Sequence, residues 1–413
     1  MSKILLYNIG QIATFLGSKP KHGKQMQEVK IIPNGSILIE DGKISNVFDS
    51  SIDNCQRLDV QKIDCHGKLV TAGYVDCHTH LVFGGNRAKE FEMRLAGKSY
   101  MEIMQAGGGI VNTVTATRET PLEKLLEISA TRVKRALANG VTTVEVKSGY
   151  GLDKDTELKQ LEIAQKLNQL TPVEVVPTFM GAHATPKGMT ADEYVDFVLN
   201  VALPAVKQQD VAEFCDCFCE KNVFDAEQSA KILQKAKELG MGLKLHADEI
   251  ESIGGIGVAC GLGAISVEHL LKISDQDIQR LATSDTVGVV LPATAFSLKE
   301  EYAPARKMID AGCAVALATD FNPGSCNTQS IPLVIALANI YCKMTMAETL
   351  CALTLNGACA IGRGDKIGTV EVGKQADLLI HNVDTLQDLC YNFVSDTVDT
   401  VLKKGNIVLQ KNN

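Results

Sequence analysis

Between residues 68 and 365 the chain alternates between short apolar segments and longer amphipathic ones. The apolar segments are rich in Val, Ile, Leu and Thr and have the length that is typical of buried β-strands. There are eight of them, at 68–76, 141–147, 173–179, 211–218, 242–246, 264–269, 287–291 and 314–320. Because helical patterns separate the eight, the sequence predicts an α/β fold, a (β/α)8 TIM-like barrel.

Helix start signals support this alternation. They lie at Thr190, Asp225 and Thr345, and the first and last of these form capping boxes with Glu193 and Glu348. A doubly wound open sheet is the competing arrangement, and it places a glycine-rich phosphate turn after an early strand. The run Gly107-Gly108-Gly109 follows a helical pattern instead of a strand. The barrel is therefore favoured.

The two ends of the chain differ from the middle and resemble each other. Residues 1–67 and 366–413 both contain short β-segments, and Asp41-Gly42 between two of them is a hairpin signal. We expect the ends to assemble into one small β-sandwich domain. The predicted domains are thus 1–67 plus 366–413 for this composite unit and 68–365 for the barrel.

Composition narrows the possible partners. The chain has 413 residues and a net charge of −8, with no basic cluster interleaved with aromatic residues. We therefore expect neither a nucleic-acid partner nor an anionic membrane surface. No apolar run approaches the roughly 20 residues of a membrane span, and no signal peptide is recognisable. With 13 cysteines in such a chain, a reducing cytoplasm is the expected location, and a homodimer is the common assembly.

Histidines concentrate at one end of the predicted barrel. Five of the eight follow a predicted strand: His78, His80, His183, His246 and His269. Active sites of such barrels lie at the C-terminal ends of the strands. Since residues two apart on a strand face the same side, the pair after the first strand converges on one point. Asp320 ends the eighth strand and brings a carboxylate to the same rim.

Three imidazoles and one carboxylate suit a divalent first-row metal. We assign His78, His80, His246 and Asp320 as the ligands of one Zn or Fe ion per chain. Lys221 lies beyond the end of the fourth strand, so a bridging lysine for a second ion is not supported. Such an ion lowers the pKa of its bound water towards about 7, which predicts hydrolytic chemistry.

Two further residues are candidates for proton transfer. Glu249 follows His246 by three residues and is placed to act as the general base. His269 is expected to orient the nucleophile or to stabilise the oxyanion, and a role as a ligand stays open. Arg87, just after the first strand, could clamp a substrate carboxylate with two hydrogen bonds, and Tyr150 and His183 add donors after the second and third strands.

Local motifs along the whole barrel resemble the amidohydrolase superfamily. They are His78-Thr-His-Leu-Val-Phe-Gly-Gly-Asn-Arg87, Lys147-Ser-Gly-Tyr-Gly151, Phe179-Met-Gly-Ala-His183, His246-Ala-Asp-Glu249 and Asp320-Phe-Asn-Pro-Gly-Ser325. The resemblance is nearest to its cyclic-amide hydrolases and implies hydrolysis of a small-molecule substrate, 4-imidazolone-5-propanoate, to N-formimidoyl-L-glutamate in histidine degradation. It implies these substrate contacts: Arg87, Tyr150, His183, Glu249, Asn322, Gly324 and Ser325.

Three alternatives remain open. Another amidohydrolase, such as an aminohydrolase that releases ammonia, would use the same metal ligands with a different pocket. A catalytically silent barrel would have lost a ligand, yet all four candidates are present. Cys215, Cys217 and Cys219 alternate along one strand and could bind a metal or sense redox state, but such residues are more often small buried hydrophobes.

Overall fold

The structure is a computed structural model that describes residues 3–49, 60–98, 102 and 108–411. Sixteen strands form two sheets of eight within these residues. In chain order they are β1 (Lys3–Thr14), β2 (Lys30–Glu40), β3 (Lys43–Phe48), β4 (Gln61–Asp64), β5 (Leu69–Ala72), β6 (Tyr74–Asp76), β7 (Val141–Lys147), β8 (Glu174–Ala182), β9 (Phe214–Cys219), β10 (Gly242–Ala247), β11 (Ser266–His269), β12 (Val287–Val290), β13 (Val315–Leu317), β14 (Leu378–His381), β15 (Val398–Lys403) and β16 (Asn406–Gln410).

Fifteen α-helices accompany the strands in the described residues. They are α1 (Ala88–Leu95), α2 (Ile110–Glu119), α3 (Leu122–Ala138), α4 (Lys154–Leu170), α5 (Ala191–Phe197), α6 (Leu203–Gln209), α7 (Ala226–Glu238), α8 (Gly255–Leu262), α9 (Asp275–Ala282), α10 (Pro292–Leu298), α11 (Ala305–Ala311), α12 (Ile331–Ile340), α13 (Met346–Leu353), α14 (Leu355–Cys359) and α15 (Leu386–Tyr391). Short 3₁₀ and π segments lie at Gly23–Gln27 and Val198–Ala202. No helix in the described ranges combines the length and apolarity needed to cross a membrane.

Strands β6 to β13 lie side by side in chain order and pair in parallel. The first and last strands are joined where they end, because the Asp320 N–H donates to the His78 carbonyl at 3.1 Å and the His80 N–H donates to the Phe321 carbonyl at 2.9 Å. The predicted (β/α)8 barrel is confirmed. Its closing hydrogen bonds bring the segments after β6 and β13 into contact, which sets the position of the site.

The predicted first strand, 68–76, is in fact two strands. The chain changes sheets at Gly73, so that β5 pairs with β1 and β14 while β6 starts the barrel. A Cβ at Gly73 would lie 2.3 Å from Thr142 Oγ1, so the close crossing requires glycine. A continuous apolar run hides this change of direction, because both strands are buried on both faces.

The terminal strands are hydrogen-bonded in the order β16-β15-β14-β5-β1-β2-β3, with β4 beside β1. Apolar residues from both halves of this sheet pack into one small core, as in a sandwich. The predicted hairpin is present, with Asp41 and Gly42 at φ values of 49° and 78° between β2 and β3. The domain limits at 67 and 366 stay a prediction, and the sheet itself also includes β5.

The predicted helix starts are borne out. Thr190, Asp225 and Thr345 are the N-caps of α5, α7 and α13, and each side chain accepts a hydrogen bond from the third helical residue. Gly109 precedes α2 with a φ of 89°, whereas Gly107 lies outside the described residues. Alternation along β9 buries Cys215, Cys217 and Cys219, and the Cys217 thiol contacts Ser229 on α7. All cysteines in the described ranges are free thiols.

His381 on β14 gives the terminal sheet a pH-dependent stability. Its imidazole is fully buried between the hydroxyls of Thr71 and Thr397, and burial lowers its pKa to about 3. In the unfolded chain the pKa is about 6.5, so the unfolded state binds the proton first as the pH falls. The stabilisation is complete above about pH 6.5 and is lost progressively between there and about pH 3.

We expect the free energy of unfolding of His381→Asn to depend less on pH than that of the parent chain, by about 2 kcal/mol between pH 7 and about pH 5. Urea unfolding at both values measures this difference. His66→Asn is the matched control, because the side chain of His66 is 78% exposed and its replacement should leave the pH dependence unchanged. Equal pH dependence in the two variants would contradict the prediction.

Candidate active site

The four predicted ligands meet at the C-terminal end of the barrel. His246 belongs to β10, Asp320 follows β13, and His78 and His80 lie just beyond β6 rather than within it. His80 Nε2 is 3.3 Å from His246 Nε2 and 3.8 Å from Asp320 Oδ1, and His78 Nε2 is 3.5 Å from the same oxygen. Each of the four side chains therefore has a ligand atom within 4 Å of a ligand atom of another.

These side chains fit a divalent cation. All four are buried, and both ring nitrogens of His78 and Nδ1 of His80 have no hydrogen-bond partner. Burial of unpaired polar atoms is costly unless a metal or another partner satisfies them. Ligand atoms of His78, His80 and Asp320 lie within 4.8 Å of one another, and so do those of His78, His246 and His269. The geometry thus supports a metal centre and leaves His269 adjacent to it.

Asp320 is held in one orientation and one charge state. Thr294 Oγ1 on α10 donates to its Oδ2 at 2.7 Å, which leaves Oδ1 for the histidines. Burial by itself would raise the pKa of this carboxyl, but its interactions with the nearby His78 outweigh burial and lower the pKa to about 2. The backbone of Asp320 has a φ of 51°, a left-handed conformation that non-glycine residues adopt at an energetic cost and often at functional sites.

Glu249 and His269 form a second pair beside the four ligands. Glu249 Oε1 lies 3.6 Å from His269 Nδ1, and the Glu249 side chain remains 18% exposed. Burial raises the pKa of Glu249, and the nearby His269 opposes that rise. A carboxylate with a raised pKa is better matched to accept and return a proton near neutral pH. The arrangement is consistent with the predicted general base.

A cavity of about 490 Å³ opens above this centre. All predicted site residues line it except His78, which is completely buried behind it. Seven further residues line it that the sequence did not single out: Glu90, Arg94, Lys98, Ile110, Phe218, Leu298 and Glu300. Glu90 and Arg94 lie on α1, Phe218 lies on β9 and Leu298 ends α10. Their distance from the ligands along the chain gives no indication of contact.

Arg87 is fixed by Glu90. The Arg87 Nε–H donates to Glu90 Oε2 at 2.7 Å, and the same oxygen accepts the backbone N–H of Gly109 at 3.0 Å. On the other side Gly324 lies so close that a Cβ there would be 2.2 Å from Arg87 Nη1. The remaining guanidinium donors are left for the cavity. A carboxylate three residues after an arginine at a helix start was the available signal for Glu90.

Tyr150 and His183 stand beside His80. The rings of His183 and His80 stack with centroids 4.9 Å apart, and His183 Nδ1 lies 3.0 Å from the Gly149 carbonyl. Burial lowers the pKa of His183 to about 4, so the ring is neutral near pH 7 and its Nδ1–H donates to that carbonyl. Nε2 is consequently an acceptor, whereas the sequence suggested a donor. Glu157 holds the Tyr150 loop by accepting N–H groups of neighbouring residues.

The loop after Asp320 is organised by Asn322. Its amide nitrogen donates to the Asp320 carbonyl at 2.7 Å and to Ser325 Oγ at 2.8 Å, while its oxygen accepts the N–H groups of Gly324 and Ser325. The polar atoms of Asn322 are therefore engaged within the loop. Ser325 and Gly324 line the cavity. Both backbone polar groups of Gly324 are engaged, because its N–H donates to Asn322 and its carbonyl accepts from Arg94 Nη2 at 3.0 Å.

The comparisons with known proteins agree with this geometry. Residues 69–408 match the amidohydrolase family. An imidazolonepropionase of Parabacteroides distasonis is 48% identical over 412 residues, with 99% of each chain covered. An imidazolonepropionase of Clostridium tetani is also 48% identical over 412 residues, covering 99% of this chain and 98% of its own.

A solved structure gives the same fold at greater distance. Guanine deaminase of E. coli superposes with a TM-score of 0.75 and 17% identity over 100% of both chains. An identity of 17% shows the fold alone. The family is shown by the relatives that are 48% identical over 99% of this chain. The chain belongs to the amidohydrolase family and, within it, to the imidazolonepropionases.

Proposed function

We propose that this enzyme hydrolyses 4-imidazolone-5-propanoate to N-formimidoyl-L-glutamate in histidine degradation. The observation that carries the proposal is the convergence of His80, His246 and Asp320 with Glu249 and Arg87 on one cavity. Its centre offers the donors of a divalent metal and a carboxylate base, and its rim offers a cation for the propionate. The substrate of the imidazolonepropionases has this combination of a ring carbonyl and an anionic tail.

Enzymes of the amidohydrolase superfamily depend on metals, and the chain's donors suit one Zn or Fe ion. We assign His78, His80, His246 and Asp320 as its ligands. When bound, such an ion makes water nucleophilic at neutral pH and polarises the carbonyl under attack.

The proton transfers belong to Glu249. Its carboxylate accepts a proton from the attacking water as the water oxygen adds to the ring carbonyl carbon. It then returns that proton to the ring nitrogen as the C–N bond breaks, so the base is regenerated. His269, 3.6 Å from Glu249, orients this carboxylate and the developing oxyanion. Of the two oxygens in the product's new carboxylate, one is the original carbonyl oxygen and the other comes from water.

Substrate orientation depends on the rim of the cavity. Arg87 binds the propionate, with Ser325 Oγ and the backbone at Gly324 beside it. The Tyr150 hydroxyl donates to the ring, and the neutral His183 accepts a ring N–H through Nε2. Asn322 acts by holding the loop in shape.

We expect Arg87→Gln to raise KM by about 10- to 100-fold with a smaller change in kcat, because hydrogen bonds to charged groups contribute about 1.5–3 kcal/mol. Steady-state kinetics with the imidazolone substrate measures this effect. Lys89→Gln removes an equal charge from an exposed position on α1, the helix that Arg87 precedes, and should leave KM unchanged. An unchanged KM in Arg87→Gln would exclude the carboxylate clamp.

The decisive assay follows the ring chromophore and ammonia in parallel on purified enzyme. Loss of the ring without release of ammonia is the expected result. Release of ammonia from purines or formimidoyl compounds, with no ring opening, would instead place the enzyme among the aminohydrolases that share this fold.

We further propose that the enzyme is a cytoplasmic homodimer. Its free thiols fit a reducing compartment, and two-fold dimers are the commonest assembly of soluble enzymes. Light scattering on the eluting protein distinguishes a dimer from the 44.5 kDa chain.

A further inference from the structure

A layer of five charged side chains crosses the barrel directly beneath the histidines. All five are fully buried: Glu145 and Lys147 on β7, Asp216 on β9, Lys244 on β10 and Glu268 on β11. Lys147 Nζ lies 2.7 Å from Asp216 and 2.9 Å from Glu145, and Lys244 Nζ lies 3.1 Å from Glu145 and 3.2 Å from Glu268. Burying charges on this scale is costly and is rarely retained for stability alone.

Two carboxylates of the layer face the metal-site histidines from below. Asp216 Oδ2 lies 3.0 Å from His246 Nδ1, and Glu268 Oε2 lies 3.4 Å from His78 Nδ1 and 3.6 Å from His246 Nδ1. Both Nδ1 atoms are buried and make no hydrogen bond in the structure, so each is available to the carboxylate beside it. The Nε2 atoms of the same rings point the opposite way, towards Asp320 and His80.

The carboxylates are themselves held in place. Asp216 Oδ1 accepts the backbone N–H groups of Cys217 and His246, at 2.7 Å and 3.2 Å. Glu268 Oε1 accepts from Ser266 Oγ at 2.5 Å. Each carboxylate thus has one oxygen committed to the β-strands and the other turned to an imidazole and to Lys147.

Ligand-type atoms of Asp216, His246 and Glu268 also lie within 4.8 Å of one another, so a second metal is the competing explanation. The ammonium of Lys147 already provides the positive charge there, 2.7 Å from Asp216 and 3.6 Å from Glu268. A metal in contact with both carboxylates would face this ammonium at close range, and like charges at such distances repel strongly. The cluster is therefore better described as support for the site above it.

We propose that Asp216 and Glu268 are positioning residues that accept the Nδ1–H of His246 and His78 and so direct both Nε2 lone pairs to the metal. Lys147 pairs with both carboxylates and Lys244 pairs with Glu268, and these contacts hold the carboxylates in orientation. Carboxylates behind a ligating histidine set its tautomer and its ring orientation in this way. The inference rests on the proposed ligand set but not on the identity of the substrate.

Replacement by the amide should reverse the polarity of this contact. In Asp216→Asn the amide oxygen stays with the two backbone N–H groups, and the amide nitrogen takes the position of Oδ2. It then donates to His246 Nδ1, which moves the imidazole proton to Nε2, the atom assigned to the metal. Glu268→Gln should act in the same way on His78.

The test is zinc affinity, measured by chelator competition on the zinc-loaded enzyme, with cobalt spectra as a record of coordination geometry. We expect Asp216→Asn and Glu268→Gln to bind zinc about 10- to 100-fold more weakly than the parent chain. Glu145→Gln is the matched control: it removes a charge from the same layer, but its contacts are with Lys147, Lys244 and Thr178. Its zinc affinity and cobalt spectrum should be unchanged.

Equal loss of affinity in all three variants would overturn the proposal in favour of a general effect of charge or packing. Unchanged affinity in Asp216→Asn and Glu268→Gln would overturn it as well. Nitrogen-15 NMR of the parent zinc enzyme tests it without any variant, since His78 and His246 should retain Nδ1–H and bind through Nε2; coordination through Nδ1 would contradict it. Zinc affinity could be weakened in Asp216→Asn and Glu268→Gln, and unchanged in Glu145→Gln, while the parent enzyme fails to open the imidazolone ring. That result would reject the proposed reaction and leave the positioning role in place.

Discussion

Glu249→Gln should lower kcat by about 10²- to 10⁴-fold while one metal per chain remains bound. The amide keeps the shape of the side chain beside His269 but cannot accept a proton from water. KM should change little, because the propionate clamp is assigned to Arg87 and not to Glu249. Steady-state kinetics and metal analysis on the same preparation separate loss of the base from loss of the metal.

Glu251→Gln is the matched control for this variant. Glu251 is two residues further along, 49% exposed, and paired with Lys221 at 2.6 Å. Its replacement removes the same charge and should leave kcat and metal content unchanged. If Glu249→Gln turned over within tenfold of the parent chain with metal bound, the base would have to be sought elsewhere, with His269 the nearest candidate.

His80→Asn should abolish stoichiometric metal binding and lower turnover by at least about 10⁴-fold, because the reactivity of water at neutral pH depends on the bound ion. His80 Nε2 lies within 4 Å of both His246 Nε2 and Asp320 Oδ1. The asparagine side chain is shorter, so the variant loses the metal-ligating nitrogen at this position. Elemental analysis after dialysis, together with the ring-opening assay, measures both effects.

His66→Asn again serves as the control, since its exposed imidazole should contribute neither metal binding nor activity. Removing the metal from the parent enzyme with a chelator should lower turnover as much as His80→Asn does. Added zinc or iron should restore the activity of the chelated parent enzyme but not that of His80→Asn. Full activity of His80→Asn without metal would refute the metal-dependent mechanism.

The sequence by itself determined the fold and which side chains lie at the C-terminal rim of the barrel. Eight buried strands separated by capped helices leave few alternatives to a closed barrel, and strand ends of a barrel share one rim. The sequence alone was therefore enough to predict that four side chains share this rim: His78, His80, His246 and Asp320. Their residue types also limited the chemistry to a divalent metal and hydrolysis.

Features that depend on two distant segments approaching each other were not predictable in this way. A buried run shows no alternation, so the change of sheet at Gly73 was not predictable. The close approach of Gly324 to Arg87 depends on a contact across more than 230 residues of chain. Left-handed backbone at His269 and Asp320 is imposed by the surrounding packing rather than by local preference.

The charged layer under the histidines is the clearest case. In the sequence, Glu145, Lys147, Asp216, Lys244 and Glu268 are polar residues inside otherwise apolar strands, with no visible partners. Each would be unfavourable alone in a barrel interior. Only closure of the barrel places them opposite one another and opposite the Nδ1 atoms of the histidines, because electrostatic pairing depends on distance in space and not on distance along the chain.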